Sequence, residues 1–424
     1  MLHNEDHGIR THRTDGSIGL ELESQRTDES GRLARTCHPF PDDRHIVRDF
    51  GEAQLEINTS PADGPEAALA ELHGILSGVH HKLRERGEVL WPFSNPPVIH
   101  SEADIEIAAY PHQHPNYQYR RYLAKKYGKY QMTYSGIHFN YSFSESLLRD
   151  NARLEGVERG EDYRRYKDRF YLELAEQVLS HSWVVVALLG ASPLADNSFF
   201  EAGQSGKTVF SGSASLRSGP QGYWNHFLPL LCYEDMESYT TSIQKYIDWG
   251  MISRPSELYY PVRIKSAGAY SLDALRTHGA NHIELRMIDL NPFAPEGIDL
   301  NDLRFLRLFL VWLASLPREQ LDVGGQLRAL QNHKSAAGYD WSICRIMTAD
   351  GGSVLLWDAL DGVLGEMETF YAGDPSALAA LRSQREKLCD RSKRYACRVR
   401  HQFEGNYISS GLRRAAEIQA LFHA

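Results

Sequence analysis

Cysteine is scarce in this chain of 424 residues; the five present, Cys37, Cys232, Cys344, Cys389 and Cys397, are scattered and odd in number. No two form a C-x-x-C pair, so nothing suggests a zinc knuckle, a dithiol centre or a disulfide framework, and they read as reduced thiols. Excess positive charge is also missing. With 55 acidic against 46 basic residues the formal net charge is -9, the wrong sign for a protein that neutralises nucleic-acid phosphates. Long apolar runs are absent as well. The longest candidate, Trp183 to Leu189, falls far short of the roughly 20 residues a bilayer needs, and Met1-Leu2-His3-Asn4-Glu5-Asp6 has neither a basic nor an apolar leader region. These absences predict a soluble, cytoplasmic protein with no nucleic-acid or membrane partner.

Nor is there a Pro/Gly/Ser linker, a low-complexity tract or an internal period. One catalytic unit spanning 1–424 is therefore expected, with a core at about 17–316 and a helical C-terminal region at about 317–424. Hydrophobic residues make up 42%, enough for a large core. Pro65 followed by Ala68, Leu72, Leu76, Val79 and Leu83 predicts a helix that ends near Gly87. Further helices are predicted from about Asp162 to Leu189 and from about Asn301 to Leu316. Strand patterns at Ser17 to Glu23, Gly51 to Thr59, Thr133 to Ser142, Glu257 to Lys265 and His282 to Asp289 do not alternate regularly with helices. The expected fold is α+β with a largely antiparallel sheet. In the last hundred residues, Ser376 to Lys387 and Gly411 to Phe422 are helical in pattern, and no chemistry is legible there.

Chemistry is legible on the polar faces of the strands. At a side-chain period of two, Glu21 and Glu23 share a face; Glu52, Gln54, Glu56 and Asn58 share another, with Asp49 just before them; Gly136, His138 and Asn140 share a third; Glu284 and Arg286 a fourth. If these strands pair, several carboxylates converge. Two carboxylates about 7 Å apart repel by about 2 kcal/mol at an effective dielectric near ~20, so a cation is required among them. Oxygen ligands with at most one imidazole suit Mg²⁺ or Mn²⁺, and more than two carboxylates suggest two or more ions bridged by phosphate oxygens, hence a nucleotide. Taken singly, each element has a plainer reading. An isolated E-x-E is more often a solvated strand face, a lone histidine more often a hydrogen-bonded sheet residue, and Glu284 with Arg286 reads equally well as a structural ion pair. Their joint occurrence with Arg217, in the glycine-marked loop "SGSASLRSGPQGYWN", favours the site.

At these residues the chain resembles the bacterial glutamate-cysteine ligases. "GLELESQRTDESGRL", "RDFGEAQLEINTS", "SGIHFNYS", "SASLR" with Gly222-Tyr223, "ELYYPVRIKS" and "HIELRMIDLNPFAPEGIDLNDLRFLRLFLVWLASL" follow the family's order between Ser17 and Leu316, and the likeness fades beyond Pro317. The resemblance implies a glutamine synthetase/guanidino kinase-like fold, a curved antiparallel sheet forming a funnel flanked by helices. It also implies ATP-dependent joining of the glutamate γ-carboxyl to the amine of cysteine through a γ-glutamyl phosphate. Glu21, Glu23, Asp49, Glu56, His138 and Glu284 would hold the metal ions; Arg286, Arg263 and Lys265 would meet ATP phosphates; Arg217 would anchor a substrate carboxylate. Tyr119, Tyr223 and Tyr259, with Arg120 nearby, would line the acceptor pocket, although each tyrosine is as often a packing residue. Met132, with Gln131 before it, stands where the family pattern has glutamine. Two other functions compete: a γ-glutamyl ligase for a different amine, and a catalytically silent homologue that binds glutamate or nucleotide.

Overall fold

In "GSIGLELESQRT", β-propensity and strict alternation make one long strand, β1 (Gly16–Thr27), whose Ile18, Leu20 and Leu22 are buried. The computed structural model, which describes residues 1–201 and 203–423, builds an eight-stranded sheet around it. The others are β2 (Ile46–Arg48), β3 (Gln54–Asn58), β4 (Ala62–Asp63), β5 (Val89–Leu90), β6 (Ile137–Phe143), β7 (Val262–Lys265) and β8 (His282–Ile288). The order is β2-β3-β1-β6-β8-β7, with β4 and β5 also on β1, and every pair is antiparallel. The expectation of an α+β fold on an antiparallel sheet is met, and the sheet does not close into a barrel.

One face of the sheet is apolar. Leu20, Leu22, Ile57, Phe139 and Leu285 enter a core completed by the helices Pro65–Arg84, Gly160–Leu189 and Leu300–Ser315. These lie within a residue or two of their expected positions, apart from the first, which stops at Arg84. By length and composition Gly160–Leu189 could cross a membrane, a property the short Trp183–Leu189 run concealed; here most of it is buried inside the fold. The other sheet face carries the polar residues.

The chain beyond Pro317 adds the helices Val323–Ala336, Leu356–Phe370, Pro375–Cys389, Tyr395–Phe403 and Tyr407–Leu421. Asp302, in the first turn of Leu300–Ser315, ties two of them, Pro375–Cys389 and Tyr395–Phe403, to the core. Its buried carboxylate accepts from Gln384 Nε2 (2.9 Å), Lys387 Nζ (3.2 Å) and Tyr395 Oη (2.7 Å).

Candidate active site

Register brings the predicted carboxylates together. Across the β3-β1-β6 strip, Glu21 lies between Asn58 and His138, and Glu23 opposite Glu56; on β6-β8-β7, Glu284 lies between Asn140 and Arg263. All six predicted metal ligands, Glu21, Glu23, Asp49, Glu56, His138 and Glu284, line one cavity of about 360 Å³, with Arg217, Arg263, Lys265, Arg286, Tyr119, Tyr223 and Tyr259. The sheet register shifts between Leu285 and Ile288, so a bulge falls beside Arg286, whose backbone N–H bonds to Pro261 O (3.0 Å). Bulges of this kind re-aim a side chain next to a site.

The acidic cluster divides electrostatically. On one side, Glu284 faces Arg286 (3.0 Å), Lys265 (2.9 Å) and Arg263 (3.2 Å), and Glu21 faces Lys265 (2.9 Å), His138 Nδ1 (2.9 Å) and Asn140 Nδ2 (3.0 Å). Burial opposes ionisation of Glu284, but Arg286, Lys265 and Arg263 outweigh it and hold the carboxyl well below its usual range. Burial and Glu284 likewise push Glu21 upward, yet the His138 hydrogen bond and Lys265 bring it down to about 2. On the other side the carboxyls are poorly compensated. Burial and Asp49 push Glu23 well up, burial raises Asp49, and burial with Asp49 and Glu21 lifts Glu56 to about 8.

His138 links the halves. Its Nδ1 is 3.7 Å from Glu284, and its Nε2 is 3.5 Å from Glu23. Burial pushes it to about 4, so at neutral pH the imidazole is uncharged, and one ring nitrogen, Nδ1 toward Glu21 and Glu284 or Nε2 toward Glu23, keeps a lone pair for a metal. Glu21, His138 and Glu284 each offer a ligand atom, all within 4.8 Å of one another. The donor set suits a hard divalent ion. Asn140 fits it too: its Oδ1 is buried with no hydrogen-bond partner among the described residues.

The far end of the cavity is aromatic. The Tyr223 and Tyr259 rings lie 4.0 Å apart, and both hydroxyls face Met132 Sδ, at 3.7 and 3.9 Å. Met132 therefore packs beneath two of the predicted acceptor-pocket residues, and Gln131 turns away to donate to Gly222 O (3.0 Å). Tyr119 lies under the Arg254 guanidinium (3.5 Å). Behind this wall the buried Glu257 accepts from Lys126 (2.5 Å), Tyr127 (2.9 Å) and Ser253 N (2.6 Å), while Asn225 ties Tyr127 to the Tyr259 backbone.

Some sequence expectations need correction. Arg120 does not line the cavity; its Nε bonds to Asp49 O and its NH2 to Arg48 O (2.8 Å), so it braces the segment carrying Asp49. Glu52 leaves the β3 face because Glu52 and Ala53 form a turn before the strand begins at Gln54; its carboxylate caps His38 N and Ala109 N. Tyr259 belongs to a loop, since β7 begins at Val262. The helix Pro115–Tyr127, which carries Tyr119, was not foreseen, although His114 before Pro115 caps Asn116 N (3.2 Å). Beyond Pro317, His333 reaches the cavity and bonds Ser182 Oγ (2.9 Å). A lone histidine on a helical face gave no signal.

The sequence model of the family described as glutamate-cysteine ligase matches residues 4–336. The chain belongs to the glutamate-cysteine ligase family. A glutathione biosynthesis bifunctional protein GshAB from Listeria innocua is 35% identical over 418 residues, covering 94% of this chain and 53% of the relative. A glutamate-cysteine ligase from Clostridium acetobutylicum is 32% identical over 374 residues, covering 76% of this chain and 77% of the relative. This family member thus spans about half the length of the bifunctional relatives, and the likeness to them continues past Pro317, further than the motifs alone suggested. The crystal structure of a Francisella tularensis glutamate-cysteine ligase in complex with AMP has the same fold (TM-score 0.86, 21% identity, 97% of this chain and 89% of that one).

Proposed function

We propose that this chain joins the γ-carboxyl of glutamate to the amino group of L-cysteine at the expense of ATP, the first step of glutathione-type thiol synthesis. The observation that carries the reading is the union, in one cavity, of an acidic sheet face, the Arg286–Glu284 pair and an aromatic end. The names of the relatives support the same chemistry. Small molecules are its partners: ATP, glutamate and the amine. We assign residues 1–424 to one catalytic unit, in the cytoplasm.

A carboxylate is a poor electrophile. Transfer of the γ-phosphoryl group breaks the P–O bond to ADP and makes a P–O bond to the glutamate γ-carboxylate. Attack by the amine then forms the C–N bond, expels phosphate and releases a proton. Two or more Mg²⁺ or Mn²⁺ ions, held by Glu21, Glu23, Asp49, Glu56, His138 and Glu284, would supply charge neutralisation for the phosphoryl oxygens. Arg286, fixed by Glu284, presents a guanidinium to the transferring group, with Arg263 and Lys265 beside it. Arg217 spends one N–H on Arg286 O (2.7 Å) and keeps the rest of its fork for a substrate carboxylate. Tyr119, Tyr223 and Tyr259 exclude water around the acceptor.

Purified protein with ATP, Mg²⁺ and glutamate should release phosphate on addition of cysteine and form the γ-glutamyl dipeptide. Release with another amine and not with cysteine would move the acceptor assignment; ATP binding without release for any amine would indicate a silent homologue.

A further inference from the structure

Three cations face Glu284, and they are not held alike. Arg263 gives NH1 to Glu284 and NH2 to the carbonyls of Ser256 (3.2 Å) and Leu258 (3.3 Å), so the preceding loop pins it from behind. Arg286 is fixed at the bulge through its own N–H on Pro261 and its carbonyl under Arg217. Lys265 is held in the strand by its backbone, its carbonyl accepting from Asn281 N (2.8 Å), but nothing pins its side chain from behind as the loop carbonyls pin Arg263. Among the described residues its ammonium meets only two partners, Glu21 Oε1 and Glu284 Oε1, each at 2.9 Å. Those carboxylates and His138 are the three groups that converge tightly enough to hold an ion.

We propose that Lys265 is an internal counter-ion, displaced from Glu21 and Glu284 when a divalent cation binds, and that its freed ammonium is delivered to the phosphate oxygens arriving with that ion. The inference rests on the metal-binding reading above. Without a cation between them Glu21 and Glu284 repel, and the ammonium relieves this in the ion-free protein. A divalent ion claims the same oxygens at about 2 Å, where its charge repels an ammonium sharing them. A lysine suits the exchange because a compact charge on a flexible four-carbon stem can leave one oxygen for another, whereas the two arginines stay in place. Lys265 would thereby lower the intrinsic affinity of the site for the bare ion and couple ion binding to capture of phosphate.

The test is Mn²⁺ binding to the full chain without nucleotide, followed by electron paramagnetic resonance of free Mn²⁺, for wild type, Lys265→Met and Lys265→Gln. Both variants should bind Mn²⁺ at least tenfold more tightly than wild type; equal or weaker binding by a folded variant overturns the proposal. Lysine acylation of the wild type, read by mass spectrometry, removes dependence on the variants: labelling at Lys265 should rise severalfold with Mg²⁺, and unchanged labelling overturns the displacement. Glu21→Gln separates the two levels of the reading. If wild type binds no Mn²⁺ that Glu21→Gln weakens, the metal site itself falls; if it does and Lys265→Met changes nothing, only the counter-ion role falls.

Discussion

The guanidinium of Arg217 lies flat on Gly136: a β-carbon at residue 136 would stand 2.6 Å from Arg217 Cζ. A second glycine grips the same residue from its backbone side, since a β-carbon at Gly222 would be 1.9 Å from the Arg217 carbonyl oxygen. The glycines of two separated motifs thus form a socket for one side chain. Gly136→Ala must push the guanidinium off its floor, and a misplacement of about 1 Å is enough to cost roughly 100-fold in rate. The expected result is a fall in kcat/KM of about that size with a stability loss limited to the ~1–3 kcal/mol typical of overpacking. Steady-state kinetics with thermal melts checks it, and kcat/KM within twofold of wild type would remove Arg217 from the reaction.

Arg286 tests the phosphoryl end. Its guanidinium reaches Glu284 from the bulge, and one ammonium in its place cannot reproduce a fork. Arg286→Lys should reduce kcat by about 100-fold or more, the scale of losing one fixed donor to a developing charge, with the melting temperature little changed. Unchanged turnover would place the phosphate elsewhere.

Glu56 links metal, proton and stability. It is lifted to about 8 from an ordinary 4.5 by burial and by Asp49 and Glu21. The folded state therefore holds this proton more tightly than the unfolded chain does, and between pH 4.5 and 8 stability falls as pH rises. His38, His80 and His138, pushed by burial to about 4 from 6.5, act in the opposite sense below pH 6.5. The window free of them runs from pH 6.5 to 8. In EDTA the melting temperature should fall across it, Glu56→Gln should lessen the fall, Glu23 opposite it being pushed up as well, and saturating Mg²⁺ should flatten it in wild type because an ion replaces the protons. A flat or rising EDTA profile would contradict the assignment. Turnover by Glu56→Gln should be abolished.

Asp302 tests whether core and tail are one unit. Its buried carboxylate joins Gln384, Lys387 and Tyr395; Asp302→Ala would strand Lys387 and should cost about 3–5 kcal/mol. Calorimetry should show one transition moved downward as a whole. Separate melting of the tail would divide the chain into two units.

The acidic face was legible because period-two spacing and antiparallel pairing leave little freedom: once β1, β3, β6 and β8 align, Glu21, Glu56, His138 and Glu284 must share a face. The supporting parts were not legible. Arg120 looked like a ligand contact because sequence does not distinguish a guanidinium facing substrate from one bracing Asp49 O. Glu52 matched the strand period, yet a turn begins where the period still holds. His333 and Met132 reach the cavity through long-range packing that no local pattern encodes.

The most direct test of the central claim is anomalous diffraction from crystals grown with Mn²⁺ and a non-hydrolysable ATP analogue. Expected are peaks on the polar sheet face, one among Glu21, His138 and Glu284 and another among Glu23, Asp49 and Glu56, with phosphate oxygens between them and Arg286. Nucleotide bound elsewhere, with no manganese on these carboxylates, would contradict it.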